Sequence, residues 1–200
     1  MKMHRGWVVM TLSAMLVLPG MLSGQNNALE KGSLKVAGAG SLMSSGRDAA
    51  DTRSTRASID ASVSYFVRSG LAVGASLGLG YTSQGEASAS SMSLGPQATL
   101  YFGGQDAELH PYLSALVGLG RRAVSQGDLD DSANEVRFRA SGGRLTFLTP
   151  SVGVHVEDFY ERFDDRSAAS LDSDHFGIGV GFDLFLPRGG MAAARSGSSD

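Results

Sequence analysis

The stretch "LAVGASLGLGYTSQ", residues 71–84, alternates without a break. Leu71, Val73, Ala75, Leu77, Leu79 and Tyr81 fall on one parity, and Ala72, Gly74, Ser76, Gly78, Gly80 and Thr82 on the other. Period two is the mark of an extended strand, here with one apolar face and one face of very small residues. Which face looks inward decides what kind of fold such strands build.

The pattern recurs along the chain, over residues 34–42, 57–65, 92–102, 109–120, 135–148, 152–157 and 176–186. The sixth segment in chain order, Glu135 to Leu148, is the least regular, because Val136, Phe138 and Ala140 share a parity that Leu145 and Phe147 do not. A β-bulge at Gly142-Gly143 would absorb the slip. Pro96 and Pro111 each remove a ladder donor, which predicts strand ends or bulges there. Residues 68–70, 103–108 and 149–151 are short connections, whereas 44–55, 83–90, 121–134 and 161–174 are longer and polar. Short turns on one side and long loops on the other suit a bacterial outer-membrane barrel, whose strands cross the bilayer in about 9–11 residues.

Glycine decides the orientation. If the apolar face pointed inward, as in a soluble ligand-carrying barrel, solvent would meet bare Gly and Ala on strand after strand. Glycine inside a strand costs roughly 0.5–1 kcal/mol relative to alanine, and a soluble surface gains nothing for it. If the apolar face meets lipid, small residues fit a lumen that in an eight-stranded barrel is only wide enough for side chains. The apolar face is therefore expected outside.

The first residues agree. Lys2 and Arg5 precede an apolar core, "WVVMTLSAMLVL", and Pro19-Gly20 then breaks the helix ahead of small residues, so residues 1–24 read as a signal peptide cleaved after Gly24. An apolar run of this length is short for a spanning helix, which needs roughly 20 residues. Cysteine is absent, which excludes a lipoprotein anchor and disulfides. Loss of the signal leaves 15 basic against 20 acidic residues, a net charge of about −5 with His neutral, which argues against a nucleic-acid partner.

The strands "SYFVRSGLAVGASLGLGYTS", "SLGPQATLYFGG", "HPYLSALVGLG" and "FGIGVGFDLFL" resemble the outer-membrane protein β-barrel domain family, small eight-stranded barrels of the OmpX/OmpA-transmembrane kind. The resemblance covers about residues 32–187 and implies fold and membrane rather than an activity. One feature departs from it. Such barrels commonly end on an aromatic residue that the insertion machinery reads, but here Phe185-Leu186-Pro187 precedes a 13-residue tail rich in Gly, Ala and Ser.

Five charged or ionisable residues, Lys35, Asp60, His155, Glu157 and Asp183, lie on the small-residue parity. They would either line a narrow polar path or pair across the lumen and plug it, and the plug is favoured because buried charges need partners. Lys35 and Asp183, on the first and last strands, are expected to approach across the closing seam. His110 and Ser114 share a face but lie roughly 13 Å apart at about 3.3 Å per residue, too far for a nucleophile and its base. The carboxylates of 127–135 and 161–174 could hold divalent cations that bridge lipopolysaccharide phosphates, but the calcium-loop spacing is missing, and solvated loop charge is the favoured reading. Arg121 and Arg122 are candidates for lipid phosphates at the rim, as are Arg137 and Arg139 if the sixth strand has no bulge. Tyr65, Tyr81, Phe102, Phe147, Tyr160 and Phe176 lie near segment ends, where interfacial aromatic girdles sit.

The reading is thus an all-β, eight-stranded antiparallel up-and-down transmembrane β-barrel. It comprises a signal peptide (1–24), a short N-terminal segment (25–31), the barrel (32–187) and a flexible C-terminal tail (188–200). It places a non-enzymatic monomer in the bacterial outer membrane with both termini periplasmic. No catalytic residue, metal or cofactor is expected. The lumen is filled, and four extracellular loops carry a structural or surface-interaction role. Outer-membrane lipids and lipopolysaccharide are the partners, with an extracellular partner through the loops and no nucleic acid. The alternatives are a low-conductance channel and, more remotely, a lipid-modifying enzyme.

Overall fold

The computed structural model describes residues 27–47, 52–85, 87–104, 107–126, 129–165 and 173–186. The expected signal peptide and C-terminal tail lie outside them. A 3-10 turn, Asn27–Leu29, precedes eight strands: β1 (Leu34–Arg47), β2 (Thr52–Arg68), β3 (Leu71–Gln84), β4 (Ala87–Tyr101), β5 (Leu109–Gln126), β6 (Leu129–Thr149), β7 (Val152–Asp165) and β8 (Ser173–Leu186). Each pairs antiparallel with the next, and β8 closes on β1, with pairing from Leu34↔Leu186 to Gly40↔Val180. The result is a closed barrel with no free sheet edge.

The small-residue parity points inward throughout. On β3, Ser76 is 4% exposed and Leu77 is 39% exposed. The outward face carries Leu42, Ile59, Leu94, Leu119 and Phe182, all well exposed. Tyr65, Tyr81, Phe102 and Phe176 are outward as expected, and Tyr160 stacks on Phe176 with ring centroids 4.9 Å apart.

Both chain ends of the barrel and its short turns lie at one end, called here the terminus end. The β2–β3 turn there depends on Gly70, whose φ of +76° suits glycine and whose added Cβ would press on the Tyr101 carbonyl. Its N–H donates to the Leu29 carbonyl at 2.9 Å. Phe66 likewise donates to Ser33 and accepts from Gly32. These bonds hold the N-terminal segment under β2 and bury Ala28 against the barrel.

Three expectations are corrected. First, most of the polar stretches read as long loops are strand. The β3–β4 and β5–β6 connections span only 85–86 and 127–128, β1 runs to Arg47, and β2 starts at Thr52. The β7–β8 connection, 166–172, lies outside the described residues. Beyond the apolar band both strand faces are polar, so backbone pairing continues without any alternation to reveal it. Second, no bulge interrupts β6 at Gly142-Gly143. Its register with β5 is continuous from Leu109↔Thr146 to Gln126↔Leu129, and the irregularity with β7 falls at Phe147/Thr149. Leu145 and Phe147 therefore face inward with Arg137 and Arg139, so Phe147 belongs to no outer girdle. Third, Pro96 is neither a strand end nor a bulge. The β4–β5 ladder opens between Leu94↔Leu119 and Gln97↔Leu116 and resumes in the same register, as expected where a proline lacks its donor.

Candidate functional site

The inward residues form layers. At the terminus end Phe66, Leu145 and Phe185 are fully buried, with Tyr101 and Tyr112 nearly so. Ring centroids lie 5.8 Å apart for Phe66–Tyr101, 5.5 Å for Tyr101–Tyr112 and 5.0 Å for Phe147–Phe185. This packing makes an apolar floor across the barrel. Gly143 makes room for it, since a Cβ there would meet the Tyr112 ring and the Val156 carbonyl.

A polar layer rests on the floor. Lys35 Nζ donates to the Tyr101 hydroxyl at 3.0 Å and stands 3.9 Å from Asp183 Oδ1. The seam pair expected from sequence is thus in place. Ala37 is the register partner of Asp183, so a two-residue offset separates the pair, and the Lys35 side chain bridges it. Asp183 Oδ2 also lies 2.9 Å from His155 Nδ1. The Tyr112 hydroxyl donates to Glu157 at 3.1 Å, linking floor and layer.

Farther in, two arginines of β6 cross the lumen. Arg137 donates to Asp60 Oδ1 at 2.7 Å, to Glu161 Oε1 at 2.7 Å and to the Ser93 hydroxyl at 3.1 Å. Arg139 donates to Asp60 Oδ2 at 2.9 Å and pairs with Glu157, and its guanidinium lies 4.0 Å from the Phe159 ring centroid. Asp60 is on β2, opposite β6 in the ring of eight strands, so these bonds tie the two walls together. Arg56 extends the cluster, 3.7 Å from Glu161. Gly78 leaves the space that the Arg137 guanidinium occupies.

All five lumen candidates from sequence are brought together here. Arg137 and Arg139 are corrected from rim to lumen: they share parity with Ser141 and Leu145, and the carboxylates of β2 and β7 neutralise them. Arg56, Glu161, Tyr101 and Tyr112 are further members not singled out from sequence. Large polar or aromatic residues on an otherwise small-residue parity were the signal available for them. His110 stands edge-on to Phe147 at 5.5 Å, and no hydrogen bond links it to Ser114, which instead bonds Gln97 and Thr99. Among the described residues no group of His, Asp and Glu is arranged to hold a metal ion.

The space left is small. A cavity of about 50 Å³ lies between the floor and the arginine layer, bordered by Lys35, Asp60, Gln97, Tyr112, Arg139 and Asp183. A water needs roughly 10–15 Å³ of such volume, so this cavity has room for a few ordered waters.

No family model matches the chain, and no curated protein does. Solved structures do. Neisserial surface protein A (NspA) is 17% identical with a TM-score of 0.57, over 77% of this chain and 97% of that one. The N-terminal β-barrel domain of Pseudomonas aeruginosa OprF is 15% identical with a TM-score of 0.50, over 78% of this chain and 98% of that one. The fold is that of the small eight-stranded outer-membrane barrels. At these identities the likeness concerns fold alone.

Proposed function

We propose that the chain is an integral outer-membrane barrel with a sealed lumen, acting through its surfaces rather than by conduction or catalysis. The observation that carries the reading is the arginine–carboxylate cluster spanning the lumen above an aromatic floor. The continuous exposed apolar band supports the membrane placement, because a soluble monomer rarely exposes apolar patches beyond a few hundred Å². Both termini then lie on the periplasmic side, with lipopolysaccharide and phospholipid around the wall. Strands β5 and β6, 18 and 21 residues long, exceed the length that crosses a bilayer and carry polar hairpin ends to the exterior. These hairpins, in place of loops, are the surfaces on which an extracellular partner would dock.

The test is electrical. Refolded protein in a planar bilayer should give no sustained current steps, although it runs faster on gels before heating than after, as a closed barrel does. Steady porin-like conductance would refute the sealed lumen. Recovery of folded protein in a soluble periplasmic fraction would refute the membrane placement.

A further inference from the structure

The outward wall is apolar almost everywhere, and the exception lies on β6 and β7. Arg144 and Asp158 both point outward and are exposed. Register places them well inside the apolar band. Arg144 lies in the row Pro111–Arg144–Val156–Val180, and Asp158 in the adjoining row Leu113–Gly142–Asp158–Ile178. On β5 the outward apolar series runs Leu109 to Leu119, and Pro111 and Leu113 are its second and third members. On β8 it runs Phe176 to Leu186, and Ile178 and Val180 hold the same places from the other end. Apolar residues therefore stand on both sides of the charged pair along each flanking strand.

Neither side chain has a hydrogen bond or ion pair to another described residue. Ionised groups at such a depth are expensive against lipid, and they mark positions that face protein or water. The adjoining surface is also low in relief, since Ala115, Ala140 and Gly142 lie side by side across β5 and β6. A second wall can approach closely there.

We infer that this face of the barrel is covered by a second copy of the same chain. The inference rests on the membrane placement proposed above. Copies inserted in one direction relate by a two-fold axis along the bilayer normal, so an isologous patch meets itself at equal depth. Such a patch is stable only if it carries both charges close together. Arg144 and Asp158 are diagonal neighbours on adjacent strands, at a spacing of roughly 7–8 Å that an arginine side chain can span. Two copies bring two guanidinium and two carboxylate groups into one neutral cluster, shielded from lipid. An apolar helix or a lipid tail would offer neither charge a partner beyond the other and would leave their remaining hydrogen-bonding groups against hydrocarbon. The proposal is a dimer where the sequence reading expects a monomer.

The chain has no cysteine, so single cysteines report proximity cleanly. Ala140→Cys, Gly142→Cys and Thr146→Cys probe the patch, while Ile59→Cys and Leu77→Cys probe the opposite wall. Each is expressed in cells, its membrane fraction and heat-shifted gel mobility are recorded, and membranes are then oxidised. At least one patch position should give a species of twice the mass, at ten-fold or greater yield over both controls. Arg144→Asp and Asp158→Arg should each cut that yield at least five-fold, and the double reversal should restore it. A folded, membrane-inserted barrel with no patch cross-link, or with equal cross-linking at Leu77→Cys, overturns the dimer and leaves the placement standing. Cross-linking only to a species of different mass overturns the second copy in favour of another partner. Folded protein outside the membrane fraction overturns the placement, and the dimer with it.

Discussion

Replacing Arg137 by methionine tests whether the lumen cluster is dry enough to matter. Methionine keeps much of the volume and removes the charge. In the native barrel the Arg137 side chain is 5% exposed and holds Asp60, Glu161 and Ser93. Removing one partner of a buried pair costs about 3–5 kcal/mol, because the other charge stays buried. Two features pull the value toward the low end. Asp60 keeps Arg139 at 2.9 Å, and Glu161 keeps Arg139 at 3.5 Å and Arg56 at 3.7 Å. The expected loss is therefore about 3 kcal/mol. Asp60→Asn should cost less in the Arg137→Met background than in the native one, with a coupling of about 2 kcal/mol. The only tryptophan, Trp7, falls in the expected signal peptide, so unfolding is best followed by the gel mobility of unheated samples across a urea series in lipid vesicles. A loss below about 1 kcal/mol is the size of an exposed ion pair. It would mean that water solvates the cluster and that the lumen is not sealed at this layer.

Two further outcomes follow from orientation and packing. Leu77→Arg places a charge on the outward, apolar side of β3 and should lower folding stability in bilayers by about 2–4 kcal/mol, and an unchanged urea midpoint would contradict the proposed lipid exposure of that face. Gly95→Val should abolish the fast-running folded form, because any Cβ at Gly95 collides with the β5 backbone at Val117 and Gly118. Gly38→Ala, outward with nothing within 4 Å of the added Cβ, should stay within about 0.5 kcal/mol of the native protein by the same assay.

The strands and their facing were legible because a wall with apolar residues on one side and a narrow lumen on the other constrains both parities at once. Lys35 and Asp183 could be paired from sequence for the same reason: closure forces β1 against β8, and their parity forces both side chains inward. The reading failed where one of those constraints lapses. Beyond the apolar band nothing forces alternation, so the strand continuing through 129–134 looked like loop. In β6 the inward parity itself changes character, from Arg137 and Arg139 to Leu145 and Phe147. Apolar residues on that parity looked like a register slip, although they are the floor of the lumen. Arg144 escaped notice by the same route, since a slip at Gly142-Gly143 would have turned it inward.

The seal proposed above rests on that change of character along β6. An ion reaching the arginine layer meets guanidinium groups already bound to three carboxylates, Asp60, Glu157 and Glu161, and it must break short charge-assisted bonds to pass. Water can exchange through such a layer more easily than ions, because it can take over hydrogen bonds one at a time. The floor of Phe66, Leu145 and Phe185 offers water no partners at all. In the proposed seal neither layer suffices alone: an apolar floor without the arginines would leave Asp60 without a cationic partner, and an ionic layer without the floor would stand open at the terminus end. Leu145 and Phe147 therefore line the same lumen as Arg137 and Arg139, four inward positions of one alternating strand that divides its inward face between hydrocarbon and charge.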